Sequence, residues 1–346
     1  MPDAVKCLVW DLDRTLWDGT LLESDRCRLR PGVREVLRAL DRRGILLSVA
    51  SANDPEPALS LLRRRGLLPL LVQPRIGWGS KVQSVRSISK SLGVPLDAMA
   101  FIDDEPYERE RMMRMLPAVR VYDAADYRAL PGFPEFDPNA LTEESRVRRR
   151  TYQRAEAREG ARRTAGMSQA EFLAQSGARL TLRAADDSDL PRILELLQRT
   201  HQLNATGVAH GPAEVAAWLH DDAFRVFVAE LRDRYVDYGR IGVAACRSEG
   251  ETWELVSFLL SCRVLSRGIS GFVLAWVERQ AALAGARVFR CRYRGNARNR
   301  RMAALYRLAG LKPEATRADG TEFFSGAPPA VARPPRWLDV KEGAGV

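Results

Sequence analysis

A short stretch near the start of the sequence, CLVWDLDRTLWDG at residues 7–19, places two carboxylates where an apolar run ends. Asp11 and Asp13 are one residue apart, and Arg14 and Thr15 follow at once. Like charges this close repel each other, so the pair costs free energy unless something compensates it. The pattern therefore indicates a bound cation, or a reaction in which both carboxylates take part.

The elements that would position these carboxylates are short apolar runs at residues 5–10, 45–50 and 98–102, each typical of a buried strand. Helical patterns alternate with them, including residues 31–43 and 81–93. This alternation predicts an α/β domain with a parallel sheet, in which ligands bind beyond the carboxyl ends of the strands.

Further polar residues fall at those strand ends or at the start of the helix between them: Ser51, Asn53, Lys81, Asp103 and Asp104. Because the carboxyl ends of parallel strands share one edge of a sheet, we expect these side chains to meet Asp11 and Asp13. The alternative is that the aspartates only cap helices or lie in loops.

Four motifs in this order, DLDRT at 11–15, Ser51, Lys81 and IDDE at 102–105, resemble the haloacid-dehalogenase-like (HAD-like) phosphotransferase superfamily. The resemblance implies that Asp11 is the nucleophile that accepts a phosphoryl group. It implies that Asp13 is the general acid and base.

The same resemblance implies a cofactor, Mg²⁺, and a set of residues that bind it or the phosphate group. The implied metal ligands are Asp11, Asp13, Asp103 and Asp104. The implied substrate and phosphate ligands in this domain are Thr15, Ser51, Asn53 and Lys81.

Extensions of these motifs, TLW at 15–17 and FIDDEPYERE at 101–110, resemble the FkbH-like family, the glyceryl transferase/phosphatases of polyketide pathways. That family tends to have Asn where this chain has Arg14, and Lys where it has Ala52. The segment from Asp13 to the serine motif is too short for a large cap domain. We therefore expect a small flap, which leaves room for a bulky or protein-borne substrate.

The second half of the chain has a different pattern. Residues 138–176 are charged and helical and are predicted to be a linker, and residues 177–325 show strands around turns, typical of an α+β domain with a mostly antiparallel sheet. NRRMAALYRLAGL at 299–311 resembles the closing helix of the Gcn5-related N-acetyltransferase (GNAT) fold. The predicted order is a Rossmann-like, HAD-like domain at 1–137, the linker, a GNAT-like domain and a Pro-rich tail at 326–346.

The loop at residues 265–270 departs from the acetyltransferase pattern. In that fold it reads Gln/Arg-x-x-Gly-x-Gly/Ala and binds the CoA pyrophosphate through backbone N–H groups, but here only Gly268 matches. We therefore do not expect an ordinary acetyl-CoA site. The resemblance leaves a V-shaped opening beside the strand that ends at Cys262, of a size for the phosphopantetheine arm of an acyl carrier protein.

RTHQLNATG at 199–207 and LLSCRVLSRG at 259–268 also resemble the FkbH-like family, so that resemblance extends over nearly the whole chain. It implies 1,3-bisphosphoglycerate as substrate and a nucleophile that takes the acyl group. We predict Cys262 for this role, because Arg263 and a following helix N-terminus favour its thiolate. A buried, inert strand cysteine is the alternative for this residue.

The remaining predictions for this reaction concern one other cysteine and three polar residues. Cys27 has arginine neighbours and is the alternative acyl carrier, whereas Cys7, Cys246 and Cys291 are predicted to pack inside strands. His201 is the predicted base. Arg263 and two asparagines, Asn204 and Asn299, are predicted to bind the glyceryl or pantetheine group.

Composition limits the partners. The net charge of +10 suits phosphorylated ligands and an acidic carrier protein, but the basic residues are scattered without interleaved aromatics, so nucleic acid is not predicted. No apolar run approaches the roughly 20 residues of a membrane span, and the start lacks a signal-peptide pattern. We expect a cytoplasmic protein with reduced cysteines and no membrane partner.

The predicted function is a bifunctional enzyme. It takes the glyceryl group of 1,3-bisphosphoglycerate, removes phosphate, and loads the group on an acyl carrier protein in polyketide biosynthesis. The alternatives are a HAD phosphatase with a non-catalytic domain that docks a partner, and a phosphatase fused to a true N-acetyltransferase.

Overall fold

A computed structural model of the chain describes residues 4–23, 27–137, 142–164, 166–200, 203–208, 210–261, 264, 267–296, 299–314 and 316–343. The chain divides into two compact units, Met1–Gln153 and Arg154–Val346. The boundary falls inside the segment 138–176, which the sequence predicts to be a linker.

The first unit has a parallel sheet flanked by helices. Its elements in chain order are β1 (Cys7–Trp10), β2 (Trp17–Asp18), β3 (Arg28–Leu29), α1 (Val33–Arg42), β4 (Leu46–Ser51), α2 (Pro55–Arg64), β5 (Arg75–Ile76), α3 (Lys81–Leu92), β6 (Met99–Asp103), α4 (Pro106–Met115), β7 (Arg120–Asp123) and α5 (Glu143–Arg146). Five strands form the sheet in the order β5-β4-β1-β6-β7, and every neighbouring pair is parallel. This confirms the predicted α/β class.

The central strands β1, β4 and β6 are buried along their whole length. Cys7 pairs with Leu46 on one side and with Met99 on the other, so the three strands run in step. Apolar clusters cover both faces of the sheet, as parallel strands between helices require. The carboxyl ends of the strands therefore lie at one edge, which we call the active edge.

A two-stranded ribbon, β2 with β3, follows β1. Trp17 pairs with Leu29 and Asp18 with Arg28 in antiparallel register. This ribbon corresponds to the small flap that the sequence predicts, and we call it the flap.

The second unit has a larger sheet. Its elements are α6 (Arg148–Thr164, which begins in the first unit), α7 (Gln169–Gln175), β8 (Arg179–Ala184), α8 (Leu190–Arg199), α9 (Pro212–His220), β9 (Phe224–Arg232), β10 (Asp237–Glu249), β11 (Thr252–Leu260), α10 (Ser270–Leu283), β12 (Val288–Tyr293), α11 (Arg300–Leu308), β13 (Lys312–Pro313), β14 (Glu322–Gly326) and β15 (Asp339–Glu342). The order is β13-β14-β12-β11-β10-β9-β8-β15. Among the strand pairs of the described residues, only β11–β12 and β15–β8 are parallel, so the predicted mostly antiparallel sheet is confirmed.

The Pro-rich tail at 326–346 contributes to this sheet. β15 lies within it and pairs along β8, beginning with Asp339 opposite Arg179. That part of the tail is therefore an edge strand of the second unit.

A buried carboxyl group lies in the core of the second unit. Glu278 is in the middle of α10 and is 2% exposed. Burial raises the pKa of Glu278 from its ordinary 4.5 to about 7, because the charged form loses its hydration. The group is therefore protonated in the folded chain over a pH range where the unfolded chain is ionised.

We expect Glu278→Gln to stabilise the chain at pH 8 and to change stability little at pH 5. As the pH rises from 4.5 to 7, the unfolded state releases a proton that the folded state keeps, so the stability of the wild type falls. The loss is at most roughly 3 kcal/mol above pH 7, and glutamine avoids it. Thermal unfolding at both pH values measures this, with the exposed Glu249→Gln as control. An equal effect at both pH values would contradict the account.

Candidate active site

Three charged side chains meet at the active edge of the first unit. Asp11 follows β1, Asp103 ends β6 and Lys81 begins α3. The Nζ atom of Lys81 is 2.9 Å from Asp11 Oδ1 and 2.7 Å from Asp103 Oδ2. All three residues are buried. The fold thus brings together three predicted site residues that are separated by up to 92 positions in the sequence.

The electrostatics of this cluster follow from burial and from mutual contact. Burial and the nearby Asp103 raise the pKa of Asp11 to about 7, although Lys81 and a hydrogen bond with Ser51 act in the opposite direction. Burial also raises the pKa of Asp103. Burial alone would lower the pKa of Lys81, but the two carboxylates outweigh it and raise the pKa. The site holds more negative than positive charge and favours a further cation.

A third carboxylate completes a group that fits a divalent metal ion. One oxygen each from Asp11, Asp103 and Asp104 lie within 4.8 Å of one another. Oxygen ligands of this kind suit Mg²⁺, which takes one or a few carboxylates and keeps several waters. Thr15 orients Asp104, since its Oγ1 donates to Asp104 Oδ1 at 3.3 Å and accepts from the Asp104 N–H at 3.2 Å. These three aspartates are the residues that would hold the metal.

Asp13 has surroundings of its own. Its carboxylate is not part of the three-aspartate group among the described residues. Oδ1 accepts hydrogen bonds from Trp17 Nε1 at 2.7 Å and from the Leu21 N–H at 3.1 Å. Oδ2 accepts one from Asn53 Nδ2 at 3.0 Å. Asp13 is thus held by Trp17 and Leu21, which follow it closely in the sequence, and by Asn53, two residues after β4.

The end of β4 supplies the neutral polar groups of the site. Ser51 is 4% exposed and its hydroxyl bonds to the carboxylate of Asp11. The Nδ2 group of Asn53 also donates to Ser51 Oγ at 3.2 Å. Asn53 therefore connects Asp13 to the serine that contacts Asp11.

The sequence prediction did not include Arg109, which supports the acidic loop after β6. Its Nη1 donates to the carbonyl oxygens of Asp103 and Asp104 at 2.9 and 2.7 Å. Its Nη2 forms an ion pair with Asp123 at 2.6 Å. The only sequence signal was its place in the PYERE extension, which has no chemical meaning before the fold is known.

Arg14 lies between the two aspartates and Thr15 in a left-handed backbone conformation, with φ of 53°. Residues other than glycine rarely adopt this conformation, and asparagine and aspartate tolerate it best. This gives a physical reason for the asparagine that the FkbH-like family tends to have here. In this chain arginine adopts the left-handed conformation at a cost in backbone strain.

The predicted catalytic groups of the second unit fall outside the described residues. These groups are Cys262, Arg263 and His201. Two residues of the loop at 265–270 also lie outside the described residues. Their roles stay predictions. Arg267, in the same loop, is buried and turned inward, where its Nη2 donates to Asp233 at 2.9 Å.

The opening between β11 and β12 contains a segment of the chain itself. The two strands pair only from Thr252 opposite Val288 to Leu255 opposite Cys291. Beyond this point residues 203–206, which we call the wedge segment, run antiparallel to β11. The Leu260 N–H donates to Leu203 O at 2.9 Å, and the Ala205 N–H to Phe258 O at 3.0 Å. The V-shaped opening expected for a pantetheine arm is therefore closed along this part of β11.

Two predicted ligand-binding asparagines hold the wedge segment in place. Asn299 is fully buried, and its Nδ2 donates to the carbonyls of Asn204, Ala205 and Arg294 at 2.9 to 3.2 Å. Asn204 Oδ1 accepts from the N–H groups of Thr206 and Gly207. Substrate binding by either asparagine stays a prediction. In the structure both side chains form hydrogen bonds with backbone groups.

The other cysteines differ in their surroundings. Cys7, Cys246 and Cys291 are 0% exposed, and burial raises the pKa of each thiol, that of Cys7 to about 12. Cys27, the alternative acyl carrier, is 4% exposed and packs in an apolar cluster. Raised pKa values make the first three poor nucleophiles at neutral pH.

Comparison with known proteins shows the family of the chain. The chain is 33% identical over 119 residues to magnesium-dependent phosphatase 1 from Homo sapiens, an alignment that includes 29% of this chain and 68% of that protein. The chain belongs to this family of magnesium-dependent phosphatases. It is therefore an enzyme of the HAD phosphatase type, and the predicted cofactor, Mg²⁺, is confirmed.

Solved structures similar to this phosphatase include proteins of two kinds. The N-terminal part of BF1531 from Bacteroides fragilis, which contains a phosphatase domain in complex with Mg, is 27% identical over 36% of this chain and 38% of that chain, with a TM-score of 0.34. The ribosomal-protein-S18-alanine N-acetyltransferase from Escherichia coli is 16% identical over 42% of this chain and 90% of that chain, with a TM-score of 0.34. No family model matches the phosphatase. Among the described residues, no helix is both long and apolar enough to span a membrane.

We expect Mg²⁺ to raise the unfolding temperature of the wild type and to have little effect on Asp103→Asn. At a concentration of 100 times its Kd, a ligand stabilises by about 2.7 kcal/mol. The effect should be smaller at pH 6 than at pH 8, because Asp11, with a pKa of about 7, must lose its proton to bind a cation. The exposed Asp126→Asn is the matched control and should respond like the wild type. An equal response of Asp103→Asn would show that the metal binds elsewhere.

Arg14→Asn should stabilise the first unit by up to about 1 kcal/mol, because asparagine tolerates the left-handed conformation better than arginine. Arg14→Ala is the control, since alanine removes the same side chain and keeps the backbone strain. Urea unfolding measures both variants. Equal stabilisation by both would mean that the arginine side chain, not the backbone angle, is unfavourable.

Proposed function

We propose that this phosphatase is a bifunctional glyceryl transferase/phosphatase. It would take the glyceryl group of 1,3-bisphosphoglycerate, remove the 3-phosphate and transfer the group to the thiol of an acyl carrier protein. The main observation that supports the phosphatase activity is the buried cluster of Asp11, Lys81 and Asp103 at the active edge. The resemblance of the sequence motifs to the FkbH-like family supports the choice of substrate.

In the phosphatase half, a carboxylate oxygen of Asp11 attacks phosphorus and the bond to the leaving oxygen breaks. Asp13 donates a proton to that oxygen. Water then attacks the aspartyl phosphate, Asp13 takes up a proton of the water, and phosphate leaves from Asp11. Lys81 and Ser51 bind phosphoryl oxygens throughout. When bound, Mg²⁺ neutralises charge on those oxygens.

The small size of the flap suits a substrate carried on another molecule. The flap consists of two strands of two residues each. Trp78, two residues beyond β5, and Tyr107, at the start of α4, are 63% and 64% exposed. Both follow strands whose carboxyl ends lie at the active edge. A short flap and exposed aromatic side chains leave space for a leaving group larger than a sugar.

In the transferase half, we propose that the thiolate of Cys262 attacks the acyl carbon of 1,3-bisphosphoglycerate and that the 1-phosphate leaves. A 3-phosphoglyceryl thioester forms, and the carrier-protein thiol takes the acyl group after dephosphorylation. His201 would accept the thiol proton. Leu203 and Leu260 each lie two residues from these positions in the sequence, and the hydrogen bond from the Leu260 N–H to Leu203 O supports a joint role.

The closed opening beside β11 favours a second candidate function. Because the wedge segment uses backbone groups of β11 that a pantetheine arm would need, the second unit would act as a non-catalytic domain that docks a partner. The same observation, with Arg267 turned inward, argues against a true N-acetyltransferase.

Intact-protein mass spectrometry after incubation with 1,3-bisphosphoglycerate and Mg²⁺ distinguishes these proposals. We expect a glyceryl adduct on the wild type, none on Cys262→Ala, and a phosphoglyceryl adduct on Asp11→Asn. Asp11→Asn should lose phosphatase turnover by roughly a thousandfold or more. Cys27→Ala is the matched control and should keep the adduct. No adduct on the wild type, with phosphatase turnover intact, would leave the phosphatase with a docking domain.

A further inference from the structure

The two oxygens of Asp13 are not equivalent in their hydrogen bonds. Oδ1 accepts two, from Trp17 Nε1 at 2.7 Å and from the Leu21 N–H at 3.1 Å. Oδ2 accepts one, from Asn53 Nδ2 at 3.0 Å. Each carboxyl oxygen has two lone pairs, and the two N–H groups use both lone pairs of Oδ1, whereas Asn53 uses only one of Oδ2. The proton of the acid form therefore belongs on Oδ2.

Trp17 is the side chain that fixes this asymmetry. It is 0% exposed and packs in the apolar cluster beneath the sheet. As a member of β2, it also pairs with Leu29 of the flap. A side chain held by packing and by strand pairing presents its N–H in one direction, so it orients Asp13 without reaching the substrate itself.

We propose that Trp17 is a positioning residue for the general acid, and that its indole N–H holds Asp13 with Oδ2 toward the leaving group. This inference rests on the proposed role of Asp13. When Asp11 forms its bond to phosphorus, the bond from phosphorus to the leaving oxygen breaks, and the Oδ2 proton passes to that oxygen. Asp13 is left as a carboxylate, which then takes a proton from the attacking water.

The test compares leaving groups, because a general acid matters most where the leaving oxygen is strongly basic. Trp17→Phe keeps an aromatic ring and removes the N–H. We expect kcat/KM for an alkyl phosphate, 3-phosphoglycerate, to fall about 30-fold to 100-fold. For p-nitrophenyl phosphate, whose leaving group departs without a proton, kcat/KM should change less than about threefold. Asp13→Asn should show the same selectivity with a larger loss.

The matched control is Trp10→Phe. Trp10 is also 0% exposed and packs in the same cluster, but its Nε1 has no hydrogen-bond partner among the described residues. This variant loses the same ring volume without losing a bond to Asp13. Its effect on the two substrates should be equal.

Three results would overturn the inference or its basis. If Trp17→Phe lowers kcat/KM equally for both esters, or for neither, Trp17 has only a packing role. If the wild type hydrolyses neither ester, the general-acid role proposed for Asp13 fails and this inference fails with it, whereas the glyceryl transferase stands or falls with the adduct measurement. If Trp17→Phe does not fold, site-specific replacement of Trp17 by benzothienylalanine exchanges the N–H for sulfur at constant ring size. We then expect the same selective loss of kcat/KM for 3-phosphoglycerate. Its absence would contradict the inference.

Discussion

Charge balance at the active edge is the constraint on which the first unit depends. Two buried carboxylates, Asp11 and Asp103, can stay in the protein interior only because Lys81 lies between them and a cation can join them. The parallel strands supply this arrangement, since β1 and β6 end side by side. Because Asp11 directly follows the strand that leads into the flap, the position of Asp13 is set by the same geometry.

In the second unit the dominant constraint is the need to satisfy backbone hydrogen bonds. Where β11 and β12 separate beyond Leu255 and Cys291, the backbone of β11 would lose its partners inside the core. The wedge segment provides them, and the buried Asn299 binds two carbonyls of the wedge segment, those of Asn204 and Ala205. Any acyl transfer by this unit must therefore use a path other than the opening along this stretch of β11.

The sequence predicted those parts of the site that short patterns encode. DLD and IDDE follow apolar strands, and the parallel-sheet rule is enough to place Asp11 beside Asp103. The wedge segment was not predictable, because its pairing with β11 joins residues about 55 positions apart and leaves no local pattern. The bond from Trp17 to Asp13 was missed for a different reason, since an apolar-looking residue in a flap gives no sign of which atom its N–H faces.

The most direct test of the account is a crystal structure of the chain with Mg²⁺ and beryllium fluoride, which mimics a phosphoryl group on a carboxylate. We predict fluoroberyllate on a carboxylate oxygen of Asp11, and Mg²⁺ about 2.0–2.1 Å from oxygens of Asp11 and of Asp103 or Asp104. Asp13 should keep its bond to Trp17. Fluoroberyllate on another residue, or Mg²⁺ bound away from these aspartates, would contradict the central claim.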